Sequence, residues 1–226
     1  KVRTAAKASI AGGRRVKSGR VAESLAPRVT KPIPVVKVPE KAQVVSPVSN
    51  IQYRSFGLVA IGVSTGGPRA LEQILPQFTG DFPWPILVAQ HMPGTFTEAF
   101  AKRLDGLCAL NVLEVSRPMP VEPGKIYIGR GGTDMVVTER LGQLMVVPKA
   151  EDTALLWHPS VEALMQSLHS TFAANQCIGV MLTGMGYDGA QGMSALKAAG
   201  ARTIAESEET ATVFGMPAEL IKRRSE

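Results

Sequence analysis

The chain predicts a three-layer α/β/α fold with a doubly wound, mostly parallel sheet and a small antiparallel β excursion. Three observations point there. From Tyr53 onward, apolar runs of strand length alternate with stretches of helix length. The runs FGLVAIGVS, PILVAQH and CIGVMLTG are apolar throughout rather than alternating, as strands covered on both faces are. Each of these runs also opens into a short turn bearing Gly or Pro, and in open parallel sheets sites form outside the carboxyl ends of the strands.

The elements follow in order. FGLVAIGVS is a buried strand and PRALEQILPQF a helix. PILVAQH is a second buried strand, and GTFTEAFAKRLDGL a second helix with Thr95 or Thr97 as its N-cap. NVLEVS is a third strand. In GKIYIGRGGTDMVVTERLGQLMVVP the texture changes: IYIG, MVVTE and LMVVP are short strands separated by Gly-bearing turns, the pattern of an antiparallel excursion. HPSVEALMQSLHSTFAA is an amphipathic helix with Ser160 at its start, CIGVMLTG a strand, GAQGMSALKAAG a helix, and ARTIAES a strand. TVFGMPAELIKRR closes as a helix after a Gly-Met-Pro turn.

Residues 1–50 differ in kind. They hold five prolines and no aromatic residue or His, and KPIPVVKVPEKAQVVSPVSN reads as an extended, polyproline-like tether. The net charge of +6 is concentrated there: 11 of the 25 Lys and Arg but 2 of the 19 Asp and Glu lie in residues 1–50, leaving 14 basic against 17 acidic residues beyond them. A basic arm for nucleic acid or an anionic membrane is the competing reading, but no aromatic interleaves the charges and no amphipathic helix is evident. The division is therefore a linker over 1–50 and a folded domain over 51–226. No run reaches the roughly 18–20 apolar residues of a membrane span, and residues 1–50 contain no apolar signal core. The chain starts at Lys1, which reads as a piece of a longer chain. Cys108 and Cys177 match no metal or CxxC spacing and read as buried, reduced thiols of a cytoplasmic protein, with neither metal nor cofactor expected.

Ser64 in GVSTGGP, His91 in AQHMPG and Asp188 in TGMGYDG are each delivered by a different strand end. Together they are what activating a serine as nucleophile needs: His91 takes the hydroxyl proton, and Asp188 accepts the imidazole Nδ1–H and stabilises the imidazolium. Backbone amides in the turns around Thr65 and Met185 are placed to form an oxyanion hole, worth about 3–4 kcal/mol per donor in such sites. Plainer roles exist for each residue. Ser64 and Asp188 suit helix capping, and the glycine turns suit phosphate binding at a helix start, which leaves a non-catalytic doubly wound module binding phosphate or a receptor as the alternative. The Walker and dinucleotide glycine fingerprints are both absent. His158 lies before a helix start and can line the same cleft, whereas His169 falls mid-helix toward the surface. The order Ser, His, Asp differs from that of α/β-hydrolases, despite the G-x-S-x-G lettering of Gly62, Ser64 and Gly66.

AIGVSTGGP, AQHMPGTFTEAFAKRL, PGKIYIG, HPSVEALMQSL and LTGMGYDGAQGMSALKAAGARTIAESEETATVFGMP resemble the catalytic domain of the CheB chemotaxis protein-glutamate methylesterases, over residues 56–217. The resemblance implies Ser64 as nucleophile, His91 as general base, Asp188 as orienting acid, and Met185, with Thr65 beside the nucleophile, at the oxyanion. It also implies a serine hydrolase that demethylates glutamate side chains of methyl-accepting chemoreceptors on their cytoplasmic helices and deamidates selected glutamines. Control would come through a receiver domain phosphorylated by the histidine kinase CheA. No receiver sequence is present in these 226 residues, so the chain is expected to turn over without phospho-inhibition. It departs from the family pattern at Trp157-His158, where many members carry Arg before Pro-Ser-Val-Asp, at Tyr187, where Asn is common, and in ending at Glu226 soon after the FGMP helix.

Overall fold

In a computed structural model of the chain, residues 57–223 are described; the reading of 1–50 as a tether lies outside them. The apolar run at the start of this region becomes β1 (Leu58–Val63), buried at every position. It lies inside a six-stranded sheet with β2 (Ile86–Gln90), β3 (Asn111–Val115), β5 (Lys125–Gly129), β8 (Cys177–Met181) and β9 (Arg202–Ala205), in the order β3-β5-β2-β1-β8-β9 and parallel throughout. The expected fold class is the observed one.

Strand alternation divides the core. Val59, Ile61 and Val63 of β1 join Ile86 and Val88 on one face, against Leu71 of α1 (Gly67–Ile74) and Phe100 and Leu104 of α2 (Gly94–Asp105). Leu58, Ala60, Leu87 and Ala89 point the other way. They meet α3 (Val161–Thr171), α4 (Ala190–Ala198) and α5 (Met216–Arg223) through Val161, Leu164, Met193 and Leu220. A second, antiparallel sheet of β4 (Met119–Pro120), β7 (Gln143–Lys149) and β6 (Asp134–Arg140) adds Met135, Val137 and Val146 to that core.

Three local expectations are corrected. IYIG belongs to the parallel sheet, not to the excursion: as β5 it sits between β2 and β3, with Ile126, Tyr127 and Ile128 fully buried. Covered on both faces, it reads as a continuous apolar run, while β6 and β7 fade to polar residues at their hairpin end. Nor does Thr95 or Thr97 cap α2. The helix starts one residue after Pro93, and Thr97 is buried with its hydroxyl donating to Glu114 Oε1 at 2.6 Å. The predicted first helix also stops early. α1 ends at Ile74 and a single 3-10 turn, Leu75–Gln77, carries Pro76, whose ring and missing N–H do not suit a continuing α-helix.

Both cysteines are free, but only Cys177 is buried, at the start of β8. Its burial pushes the thiol up to about 12, and burial with the nearby Asp105 charge raises Cys108. At about pH 8, a thiol reagent is expected to titrate Cys108 in the folded chain and Cys177 only in denaturant; two rapidly titrating native thiols would contradict this packing.

Candidate active site

From β1 the chain passes to β2 and the edge strand β3, inserts β5 between them, and then returns to place β8 on the other side of β1. The winding therefore reverses at the β1/β8 junction, and the crevice beside Ser64 opens beyond the carboxyl ends of β1 and β2. Ser64 follows β1, His91 follows β2, and Asp188 sits in the turn after β8, so adjacent strands deliver all three.

Ser64 is not a cap. Gly66 occupies the N-cap of α1 with φ 86°, a left-handed conformation that glycine adopts without penalty, and no side chain caps the helix. The Ser64 hydroxyl is thus left to His91, whose Nδ1 lies 3.1 Å from Oγ. On the far side of the ring, His91 Nε2 is 2.8 Å from Asp188 Oδ2. The three expected residues are brought together, but the ring nitrogens are exchanged relative to the sequence-based assignment. Reach explains it. His91 N donates to Val63 O on the neighbouring strand, so the ring nitrogen nearer the backbone meets Ser64, and the distal one extends to Asp188.

Asp188 does not cap α4 either, whose N-cap is Gly189. Instead it is almost wholly buried at the N-terminus of α3. Oδ1 accepts from Ser160 Oγ at 3.0 Å and Glu162 N at 3.0 Å, and Oδ2 accepts from Val161 N at 2.6 Å besides facing His91. Two free amides at a helix start are a natural seat for a carboxylate. Ser160 caps the same helix by accepting from Ala163 N.

The crevice next to Ser64 is a cavity of about 550 Å³ lined by Thr65, His91, Met92, Phe96 and Phe100 among others. Thr65 and Met185 both lie at the surface, Met185 at 69% exposure. Among the described residues, neither amide donates to a protein acceptor.

Four residues were not assigned a positioning role from sequence. Gln90 Nε2 donates to the carbonyls of both Ser64 and His91, each at 3.0 Å, tying the two strand ends. Thr183 Oγ1 donates to Thr65 O at 2.8 Å and accepts from Val213 N at 2.9 Å, while Ser64 N donates to Thr183 O. Both are buried polar residues closing an apolar strand run next to a functional candidate, a signal readable in AQH and LTG. Trp157 lies flat on His91, with ring centroids 5.5 Å apart and planes within 1°, and Tyr187 meets Trp157 edge-on at 5.2 Å. His158 does not join the cavity lining. Its Nδ1 is 2.9 Å from Asp134 Oδ1, which also accepts from Ser160 N. His169 is exposed, as expected.

Partial burial opposes charge on His158, but the Asp134 hydrogen bond and carboxylate, helped by Glu151 and the Leu155 carbonyl, outweigh it and raise the imidazole above its usual 6.5. A group raised on folding contributes stability that is complete below the unfolded value and is lost as pH climbs through the folded one. His158→Gln is therefore expected to lower Tm most below about pH 6.5, with the deficit narrowing at alkaline pH. A deficit that is constant or widens with pH, measured by thermal denaturation, would contradict the pairing.

A doubly wound α/β domain that holds Ser, His and Asp in hydrogen-bonded series across adjacent strand ends has the layout of the serine hydrolases. The comparisons narrow the class: the family profile described as CheB methylesterase matches residues 59–226, and the chain belongs to that family. It is similar to the protein-glutamate methylesterase/protein-glutamine glutaminase 3 of Rhodospirillum rubrum, at 49% identity over 79% of this chain and 48% of that one. It is 53% identical to protein-glutamate methylesterase/protein-glutamine glutaminase 2 of Rhodopseudomonas palustris, over 74% of this chain and 46% of the relative. The chain thus spans about half the length of these relatives. A solved structure, the Thermotoga maritima CheB methylesterase catalytic domain, superimposes with a TM-score of 0.72 at 38% identity, covering 75% of this chain and 89% of that one.

Proposed function

We propose that the chain is a serine hydrolase that removes methyl esters from glutamate side chains of chemoreceptors, and deamidates selected glutamines, in chemotactic adaptation. The observation that carries this reading is the continuous hydrogen-bonded series from Ser64 through His91 to the buried Asp188.

The chemistry follows from that series. With the ring proton on Nε2 and directed at Asp188, His91 Nδ1 is free to take the Ser64 proton as Oγ attacks the ester carbonyl carbon. The carbonyl oxygen gains the charge and is received by the Thr65 and Met185 amides. The imidazolium faces the Asp188 carboxylate. Collapse breaks the carbon–methoxy bond, the His91 proton leaves with methanol, and a glutamyl ester on Ser64 remains. Water then attacks this ester with one proton passing to Nδ1, and collapse returns that proton to Ser64 Oγ and frees a glutamic acid side chain, which ionises by giving its remaining proton to solvent. A glutamine substrate follows the same path with ammonia as the leaving group, so one site serves both reactions. The names of the relatives support this substrate class. A cytoplasmic location and control by a CheA-phosphorylated receiver domain complete the proposal. Among the described residues no helix is long and apolar enough to cross a membrane.

Methanol release from methyl-esterified receptor membranes is the test, with Ser64→Ala beside the unaltered chain. Release is expected to fall by about 10⁴-fold or more, the scale set by losing a triad member. A Ser64→Ala chain that kept its turnover would contradict the serine mechanism, and an unaltered chain that bound receptor membranes without releasing methanol would favour the non-catalytic binding module.

A further inference from the structure

The segment before α3 carries an aromatic ring that the capping and ion-pair network does not need. Trp157 covers one face of the His91 imidazole, parallel to within 1° at 5.5 Å, inside the range over which an aromatic face attracts a cation. The ring is held from several directions. Tyr187 abuts it edge-on, and the Gly186 backbone runs so close that a Cβ there would sit 3.0 Å from Trp157 Cζ2. The next residue, His158, is tied to buried Asp134, and Ser160 is tied through its amide to Asp134 and through its hydroxyl to Asp188. The same short segment therefore supplies the stacking partner of the base and a donor to the acid.

We propose that Trp157 is a positioning residue for His91: its π face fixes the plane in which Nδ1 meets Ser64 and Nε2 meets Asp188, and it favours the imidazolium formed while His91 holds the serine proton. This rests on the reading of Ser64, His91 and Asp188 as a triad. The neutral imidazole gains packing from the stack, but the cation gains the additional attraction of the ring quadrupole. The benefit is thus larger in the transition state than in the resting site and belongs in kcat rather than KM. Tyr187, at 54% exposure, stands as the outer wall of this stack.

The test measures kcat and KM for methanol release from methyl-esterified receptor membranes with Trp157→Leu, Trp157→Phe, and progressively fluorinated tryptophan introduced at position 157 alone. Fluorination keeps the shape and drains the π face, so the series stays informative if the leucine variant fails to fold. Trp157→Leu is expected to lower kcat about 3- to 30-fold with KM within about twofold. Trp157→Phe should recover most of that loss, and each added fluorine should lower kcat further. Equal losses in Leu and Phe, a flat fluorination series, or an effect confined to KM would overturn the inference while leaving a Ser64-dependent enzyme intact. An unaltered chain without Ser64-dependent release would remove the triad reading and this inference with it.

Discussion

Asp188 sets a negative charge where three parts of the chain converge, and the geometry of the strand ends depends on how that charge is held. Its two oxygens take the Val161 and Glu162 amides at the start of α3, the Ser160 hydroxyl and the His91 ring. Burying a carboxylate is costly unless it is hydrogen-bonded, and here the donors come from the helix terminus and its cap. The carboxylate is therefore fixed by structure before it does anything for His91. α3 is in turn fixed by Val161, Leu164, Met165 and Leu168 in the core against β1, so the position of the acid is inherited from the packing of a whole helix.

The sheet order supplies the other half. β1 lies between β2 and β8, and the residues leaving these strands are neighbours without any long loop to bring them together. Gln90 then ties the ends of β1 and β2, and Thr183, just after β8, ties the turn after β1 to the segment before α5. The reactive side chains themselves carry little of this load. Trp157 stacks on His91 with Tyr187 edge-on behind it, so the imidazole is bounded by a π face, a carboxylate and a hydroxyl.

Much of this was legible in the letters. Unbroken apolar runs gave away the strands buried on both faces, and turns ending in Ser, His and Asp marked the site because parallel strands present their carboxyl ends together. IYIG was misplaced because a four-residue apolar run looks alike in either sheet; strand partners are a property of the whole topology, not of the segment. The capping roles considered for Ser64 and Asp188 fail for different reasons. Gly66 takes the cap of α1 by its left-handed backbone, and Asp188 is recruited by a helix distant in sequence, which no local pattern encodes. The orientation of the His91 ring was equally hidden, since it depends on the separation between neighbouring strand ends compared with the distance to the acid. Trp157 stood out only as a departure from the family pattern, and its contact with the base needed three dimensions.

The central claim is that Asp188, seated on α3, holds His91 with its proton on Nε2 and Nδ1 open to Ser64. Nitrogen-15 NMR of the histidine side chains reads this directly, by distinguishing the two ring tautomers and reporting whether the ring proton is hydrogen-bonded. The account predicts that neutral His91 carries a hydrogen-bonded, slowly exchanging proton on Nε2, and that the slow exchange is lost in Asp188→Asn. A His91 proton on Nδ1, or a signal unaltered by Asp188→Asn, would contradict it.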